Sequence, residues 1–371
     1  MQSLWRRGFA GLVLLFGLVV FAPLASGQVT LPIEGTGSVA GNSGAFTYSI
    51  PIEVPPGRHG LTPQLSLVYN SSAGNGFLGV GWDLPIGYVM RSTKYGVDYA
   101  CNPATSPNPC FVFMMGGASS ELIPRTDWCP DCYGAKIEGA FMKFRFVNGA
   151  YWEVTDKSGT KYLLGQTASS RQDGTPGVFK WMLDAVMDTR SNTIGYSYFK
   201  HQGEIYIDQI NYQQNSITFY REGRSDVPTM YTSNFAVTTA YRLAAIDVWA
   251  NGTHVRAYKL TFNPSSNTSR SLLASVQQFD KDATVNSNGT IIGGTALPAV
   301  NFGFSAQGDG HFSAVETDTS GWGDWSAGKF FSTGDFNGDG KTDWSWYAPW
   351  RNRFVVMRST PLGSSTVLND T

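Results

Sequence analysis

The sequence predicts an all-β protein: a multi-stranded antiparallel domain, sandwich-like, with a shorter β unit behind it. Three observations carry that expectation. Residues 48–91 place Ser49, Pro51 and Glu53, and then Leu65, Leu67 and Tyr69, on every second position, the period at which successive side chains leave opposite faces of a strand. Pro55, Pro56, Pro63 and Pro85 punctuate the same stretch and forbid a continuous helix through it. Asn-Gly pairs recur between alternating runs, at Asn148-Gly149, Asn251-Gly252 and Asn288-Gly289; such pairs favour hairpins because both turn residues accept positive φ.

Composition agrees. The 42 glycines and 14% aromatic residues suit short strands and many turns, and 15% charged residues is too low for a disordered tail. Lys plus Arg (27) nearly equals Asp plus Glu (28), so no net field attracts nucleic acid or acidic lipid. At 371 residues the chain is long enough for a sizeable core and more than one domain.

Taken in order, residues 1–27 read as a secretory signal. Arg6 and Arg7 form the positive end, residues 9–22 the apolar run, and Ala25, Ser26 and Gly27 the small-residue cleavage site before Gln28. The apolar run is short for a membrane span of about 20 residues, so the expectation is cleavage, no remaining span, and a secreted or extracellular protein, with the periplasm or cell surface as alternatives. Residues 28–45 form an extended lead-in. Short strands follow at FVFMM from Phe111, at the runs flanking Asn148-Gly149, at KYLL from Lys161 and across residues 179–199, where Ile194, Tyr196 and Tyr198 share a face. The clearest hairpin is IDVWANGTHVRAYKLTF, with Arg256, Tyr258, Leu260 and Phe262 on one face of its second arm. Residues 271–280 fit a strand better than a helix.

Export makes disulfides available to Cys101, Cys110, Cys129 and Cys132. Four cysteines permit three pairings, and proximity favours Cys101 with Cys110 and Cys129 with Cys132. A redox role for Cys129-Pro-Asp-Cys132 would need a helix N-terminus after a strand, and a four-cysteine zinc site would need a second CxxC half. The sequence shows neither.

The stretch IPIEVPPGRHGLTPQLSLVYNSSAGNGFLGVGWDLPIGYVMR resembles the N-terminal domain of the virulence plasmid protein B (SpvB) type, which also opens the B components of bacterial toxin complexes and related YD-repeat proteins. WMLDAVMDTRSNTIGYSY, RLAAIDVWANGTHVRAYKLTF and the exit LPAVNFGFSA resemble later strands of the same family. The likeness covers most of residues 48–306, and a cysteine-bearing insertion at 100–133 departs from it. The expected domain is therefore residues 28–306.

Composition changes beyond Ala306. In GDFNGDGKTD, the oxygens of Asp335, Asn337, Asp339 and Asp343 fall at alternate positions of a tight loop, Gly340 permits the bend, and the carbonyl of Lys341 adds a donor. Hard oxygen donors in this number suit Ca²⁺. An EF-hand would need glutamate at the twelfth position, where Trp346 stands. The string instead resembles an FG-GAP (VCBS-type) repeat, which implies a partial β-propeller blade over residues 307–371. A single repeat does not close a propeller of four to eight blades.

Catalytic patterns are few. GNGFLG at residues 74–79 satisfies G-x-G-x-x-G, but the glycines of a dinucleotide site must open a helix, and Val80 to Pro85 cannot. The better reading is a turn between strands with Trp82 plugging the core. His59, His201, His254 and His311 are scattered without metal spacing and are expected at the surface or at strand edges. An ADP-ribosyltransferase, carried by some relatives of the SpvB type, needs a Glu-x-Glu pair, and no two glutamates here stand two apart.

The resemblance thus implies a non-enzymatic structural or interaction module, helping to enclose or present an effector and docking a protein partner or toxin subunit, with a downstream YD-repeat shell. The alternative is a stand-alone adhesin or carbohydrate-binding module using Trp322, Trp325, Trp344, Trp346 and Trp350.

Overall fold

In the computed structural model, described over residues 35–39 and 44–304 and over the strands 329–334, 343–348, 353–358 and 366–369, hairpin follows hairpin. Among the described residues helix is limited to two single 3₁₀ turns, Arg58–Gly60 and Ala168–Ser170. The signal, the lead-in before Gly35 and the segment 305–328 lie outside the described residues.

A small antiparallel sheet comes first: β1 (Thr36–Val39), β2 (Phe46–Ile52), β3 (Leu65–Asn70) and β4 (Trp82–Asp83), paired in that order. The predicted alternation is present, and its buried set is Ile50 and Ile52 on β2 and Leu65 and Leu67 on β3. Trp82 is buried at 4% exposure, its ring 5.4 Å from Tyr69 and 4.8 Å from Phe302, so its expected role as a core plug is borne out.

Eight strands then form an up-and-down meander: β5 (Tyr88–Arg91), β6 (Phe111–Met115), β7 (Ala118–Pro124), β8 (Cys132–Ala135), β9 (Lys143–Val147), β10 (Tyr151–Thr155), β11 (Lys161–Leu164) and β12 (Gly177–Met187). β12 pairs with β5 through Lys180, Trp181 and Met182 and with β11 through Leu164 to Lys161, which closes the eight into a barrel. At this size inward side chains fill the interior. Phe111, Phe113, Phe144, Trp152, Val154, Leu164 and Trp181 are all buried, with Trp152 stacked on Phe146 at 4.5 Å and edge-on to Phe111 at 5.0 Å and Tyr133 at 5.2 Å. The barrel is a packed core and not a channel.

Beyond β12 the same sheet opens and continues through β13 (Thr193–His201), β14 (Glu204–Tyr212), β15 (Asn215–Gly223), β16 (Tyr241–Ala250), β17 (Thr253–Pro264), β18 (Ser271–Asp280) and the short β19 (Val300–Asn301). The small sheet packs over this open half. Tyr258 on β17 accepts a hydrogen bond from the Glu53 amide at 3.0 Å, and Tyr212 on β14 donates to the Pro55 carbonyl at 2.7 Å. One contiguous apolar core joins Ile50, Leu67 and Trp82 to Ile217, Val248 and Leu260.

The expected sandwich therefore describes only the open half; the other half is a closed barrel. Alternation decides which face of each strand is buried but not whether the first and last strands of a meander meet, so closure was not available from local pattern. The predicted Asn-Gly hairpins are present at Asn148-Gly149 and Asn251-Gly252, where every residue of the two pairs has positive φ. Residues 271–280 form β18, as expected.

Disulfides link Cys101 to Cys110 and Cys129 to Cys132, the pairing favoured by proximity. The stretch expected to be an insertion, 100–133, supplies β6, β7 and the start of β8 and so belongs in part to the barrel wall.

After residue 304 the described strands are β20 (Lys329–Gly334), β21 (Asp343–Ala348), β22 (Arg353–Arg358) and β23 (Thr366–Asn369), a four-stranded antiparallel meander.

Candidate functional site

The predicted metal loop falls largely outside the described residues. Asp335, Asn337, Asp339 and Lys341 are not described, and Asp343 is described only in its backbone, as the first residue of β21. Gly334 pairs with Asp343, so residues 335–342 connect the two arms of a hairpin. Among the described residues no cluster of three or more His, Cys, Asp or Glu side chains is arranged to hold a metal. The tryptophans proposed for sugar stacking likewise have no described side chains.

The glycine-dense stretch of the small sheet forms a hairpin, with Asn75 paired to Val80 and Gly76 to Gly79 across Phe77 and Leu78. No helix follows, which removes the dinucleotide reading. The tip is inserted into the protein. Leu78 is completely buried, the Phe77 carbonyl accepts from the Leu243 amide at 3.1 Å, and the Phe77 ring lies edge-on to Tyr206 at 5.2 Å. Gly79 has φ of +81°, and a Cβ there would stand 2.4 Å from the Ser271 carbonyl oxygen; a side chain would push the hairpin off β18.

A buried ion pair that sequence reading passed over holds this hairpin. Arg224, its side chain fully buried, donates to Asp226 from Nε at 2.9 Å and Nη2 at 2.8 Å, to the Gly76 carbonyl at 2.6 Å and to Asn75 Oδ1 at 2.5 Å. Asp226 also accepts from the Ser271 amide at 2.5 Å, the Ser271 hydroxyl at 2.7 Å and the Asn75 amide at 3.0 Å. Burial alone would raise the Asp226 carboxyl; the Arg224 guanidinium and the Ser271 and Asn75 donors outweigh it and hold the group far below the usual carboxylate range. The arrangement satisfies buried charge and fixes geometry. It presents no reactive atom to solvent.

A second feature faces solvent. An open cleft of about 710 Å³ is lined by Arg125, Trp128, Glu138, Phe141, Lys143 and Asp156 among others. The Arg125 guanidinium sits over the Trp128 ring at 4.0 Å and pairs with Asp127. Phe141 is 63% exposed with φ of +52°, an unusual backbone for a bulky residue, and its amide is held by Glu138 Oε1 at 2.8 Å. Two cations, two carboxylates and two exposed aromatic rings make a surface with no charge preference and with apolar faces for contact.

The histidines need one correction. His59 is exposed, as expected, but the His254 side chain is only 9% exposed and stands against Asp247. A bulge in the β16–β17 pairing sets it opposite Trp249, on the face that carries Asp247, a register shift invisible in the sequence.

A filled barrel continuing into an open sheet, overlaid by a second sheet whose glycine-rich tip is clamped by buried ions, defines an all-β scaffold. The family model of the Salmonella virulence plasmid 65kDa B protein (SpvB) matches residues 40–108 and 118–243, more than half of the 371 residues, and the chain belongs to that family. Mono(ADP-ribosyl)transferase SpvB of Salmonella typhimurium is 25% identical over an alignment of 244 residues that covers 58% of this chain and 38% of that protein. The chain therefore spans well under half the length of the curated relatives it matches. Solved structures share its fold: the TcdB2-TccC3 crystal structure, with TM-score 0.58 and 17% identity over 92% of this chain and 20% of that one; the Photorhabdus luminescens Tc holotoxin pore, with TM-score 0.60 and 17% identity over 92% and 19%; and the N-terminal domain of effector protein SpvB from Salmonella typhimurium strain LT2, with TM-score 0.52 and 18% identity over 62% and 98%.

Proposed function

We infer that the chain is an exported, non-enzymatic scaffold that helps enclose or present an effector and docks a protein partner or toxin subunit. The observation that supports this reading is its likeness to TcdB2-TccC3, which takes in 92% of this chain but 20% of the larger one, as expected of one segment of a much bigger body. Arg224, Asp226 and Leu78 support it by spending their chemistry on rigidity. The test has two arms. Incubated with labelled NAD⁺ and host-cell lysate, the purified chain transfers no ADP-ribose; co-expressed with a toxin effector polypeptide, it protects that polypeptide from trypsin. Transfer by the chain alone, or digestion of the effector polypeptide at the rate seen without it, would reject the reading.

Calcium belongs to the same proposal. Asp335, Asn337, Asp339, the Lys341 carbonyl and Asp343 would hold Ca²⁺ in the loop of an FG-GAP-type blade built on β20 to β23, and the hairpin closure between Gly334 and Asp343 suits a tight oxygen-donor loop. Extracellular sites of this kind bind at about 10⁻⁴–10⁻³ M, and a hundredfold excess over Kd stabilises the native state by about 2.7 kcal/mol. Chelator is expected to lower Tm, and Asp339→Ala to abolish that shift in differential scanning calorimetry. An identical melt with and without Ca²⁺ would make the loop a simple turn.

One observation favours a second reading, a carbohydrate-binding module: the Arg125–Trp128–Phe141 cleft pairs aromatic faces with charged hydrogen-bonding groups. A glycan array separates the two, since binding lost in Trp128→Ala supports the cleft and a silent array removes it.

A further inference from the structure

His254 and Asp247 meet in a buried contact that is attractive only with a proton between them. The two side chains are 9% and 4% exposed. The bulge between Val248 and Trp249 places Trp249 opposite His254, and so brings His254 onto the face that carries both Asp247 and Trp249. His254 Nδ1 lies 3.1 Å from the Lys281 carbonyl oxygen. A carbonyl only accepts, so Nδ1 must carry a proton. Nε2 lies 3.1 Å from Asp247 Oδ1, and neither atom makes an aligned hydrogen bond to another described group.

An imidazole protonated only at Nδ1 would aim the Nε2 lone pair at a carboxylate oxygen, two buried acceptors in contact, which is costly. The contact becomes attractive when one further proton lies between them. It sits on Nε2, as an imidazolium beside a carboxylate, or on Oδ1, as a carboxylic acid donating to a neutral ring; the proton count is the same.

The surroundings favour keeping that proton. On β16, Asp247 Oδ2 accepts from Trp249 Nε1 at 2.9 Å, and burial pushes the Asp247 carboxyl up. On β17, the Arg256 charge is taken by Glu53. On β15, burial and the neighbouring Asp247 push the Tyr220 hydroxyl up, so it adds no charge near neutrality. Beyond Lys281, Asp282 accepts from the Thr295 amide and hydroxyl, each at 2.8 Å.

We propose that Asp247 and His254 form a buried proton-holding pair that latches the turn beginning at Lys281 onto the β16–β17 hairpin, and that loss of the shared proton as pH rises loosens the latch. The turn leads through Thr295, whose carbonyl accepts from the Asp280 amide at 2.9 Å, into β19 and the chain beyond it. The sign follows from the occupancy: the proton is bound in the folded state, where burial has raised the carboxyl, so the latch contributes at low pH and is lost as pH climbs through the titration of the pair.

The test uses the full chain with histidine ring nitrogens labelled for NMR, titrated from pH 5 to pH 9. At pH 5 the His254 Nε2 resonance is expected to report a bound or shared proton, with a single titration above. Asp247→Asn supplies an amide donor to Nε2 and an acceptor to Trp249 without a proton to lose. The Tm difference between wild type and Asp247→Asn is expected to move by about 3 °C or more across that range, the equivalent of roughly 1 kcal/mol, in the direction of wild-type loss at high pH. Amide protection at Ala283 and Gly289 in wild type, compared with the variant in the same buffer, falls at pH 9 and not at pH 5. A purely structural role would change both pH values alike, so a constant Tm difference overturns the proposal. So does an Nε2 that reads as a bare acceptor at pH 5, and because that reading comes from the wild type it stands even where the variant fails to fold.

Discussion

Replacing Arg224 with alanine is expected to cost about 3–5 kcal/mol of folding stability, because it strands a buried carboxylate that the native state keeps paired. Asp226 is 7% exposed and would retain only Ser271 and Asn75 as donors. The Gly76 carbonyl and Asn75 Oδ1 would lose their partner in the same step, so the hairpin that seats Leu78 would loosen with the ion pair. At about 2–4 °C per kcal/mol, thermal melts read this directly.

The pH dependence gives a second signature. The native Asp226 carboxyl is held low, so its contribution is present above the unfolded carboxylate range near pH 3.9 and is lost as pH falls through the folded value. In Arg224→Ala the carboxyl is free to protonate, and the gap between variant and wild type should narrow below about pH 4. Replacing both partners by apolar residues, Arg224→Met with Asp226→Leu, is expected to restore part of the loss. A loss below about 1 kcal/mol in the single variant would place the pair with ordinary surface ion pairs and remove it as the clamp of the hairpin.

Why that clamp escaped sequence reading is instructive. Arg224 and Asp226 stand two apart in a polar, proline-bearing loop, a setting that marks solvated turns. They are buried because Asn75 and Gly76, about 150 residues earlier, land on them, and no local pattern encodes that approach. What local pattern does encode was legible: the β2 and β3 alternation, the Asn148-Gly149 and Asn251-Gly252 hairpins, β18 as a strand, Trp82 in the core and both disulfides. His254 shows the limit within a single hairpin. Its turn was predicted, yet one bulged residue inverted the face on which it lies. The 74–79 glycines show the converse, a motif whose spacing suggested chemistry and whose actual demand is close approach to the Ser271 carbonyl, where a Cβ on Gly79 would stand 2.4 Å from the oxygen.

Barrel closure tests whether the fold is one cooperative body. β12 is the shared strand: its first half pairs with β5, its second half with β11 on one edge and with β13 on the other. Trp152 fills the barrel against Phe111, Tyr133, Phe146 and Trp181, and its indole N–H has no hydrogen-bond partner among the described residues, so packing is what holds it there. Trp152→Ala is therefore expected to cost about 3–5 kcal/mol. If β12 transmits the damage, the open sheet unfolds with the barrel in one transition at lower temperature, because neither half keeps its edge without that strand. A variant melting in two steps, with the open sheet holding the wild-type midpoint, would show that the barrel and the sheet are separate folding units joined by a strand and not one wall.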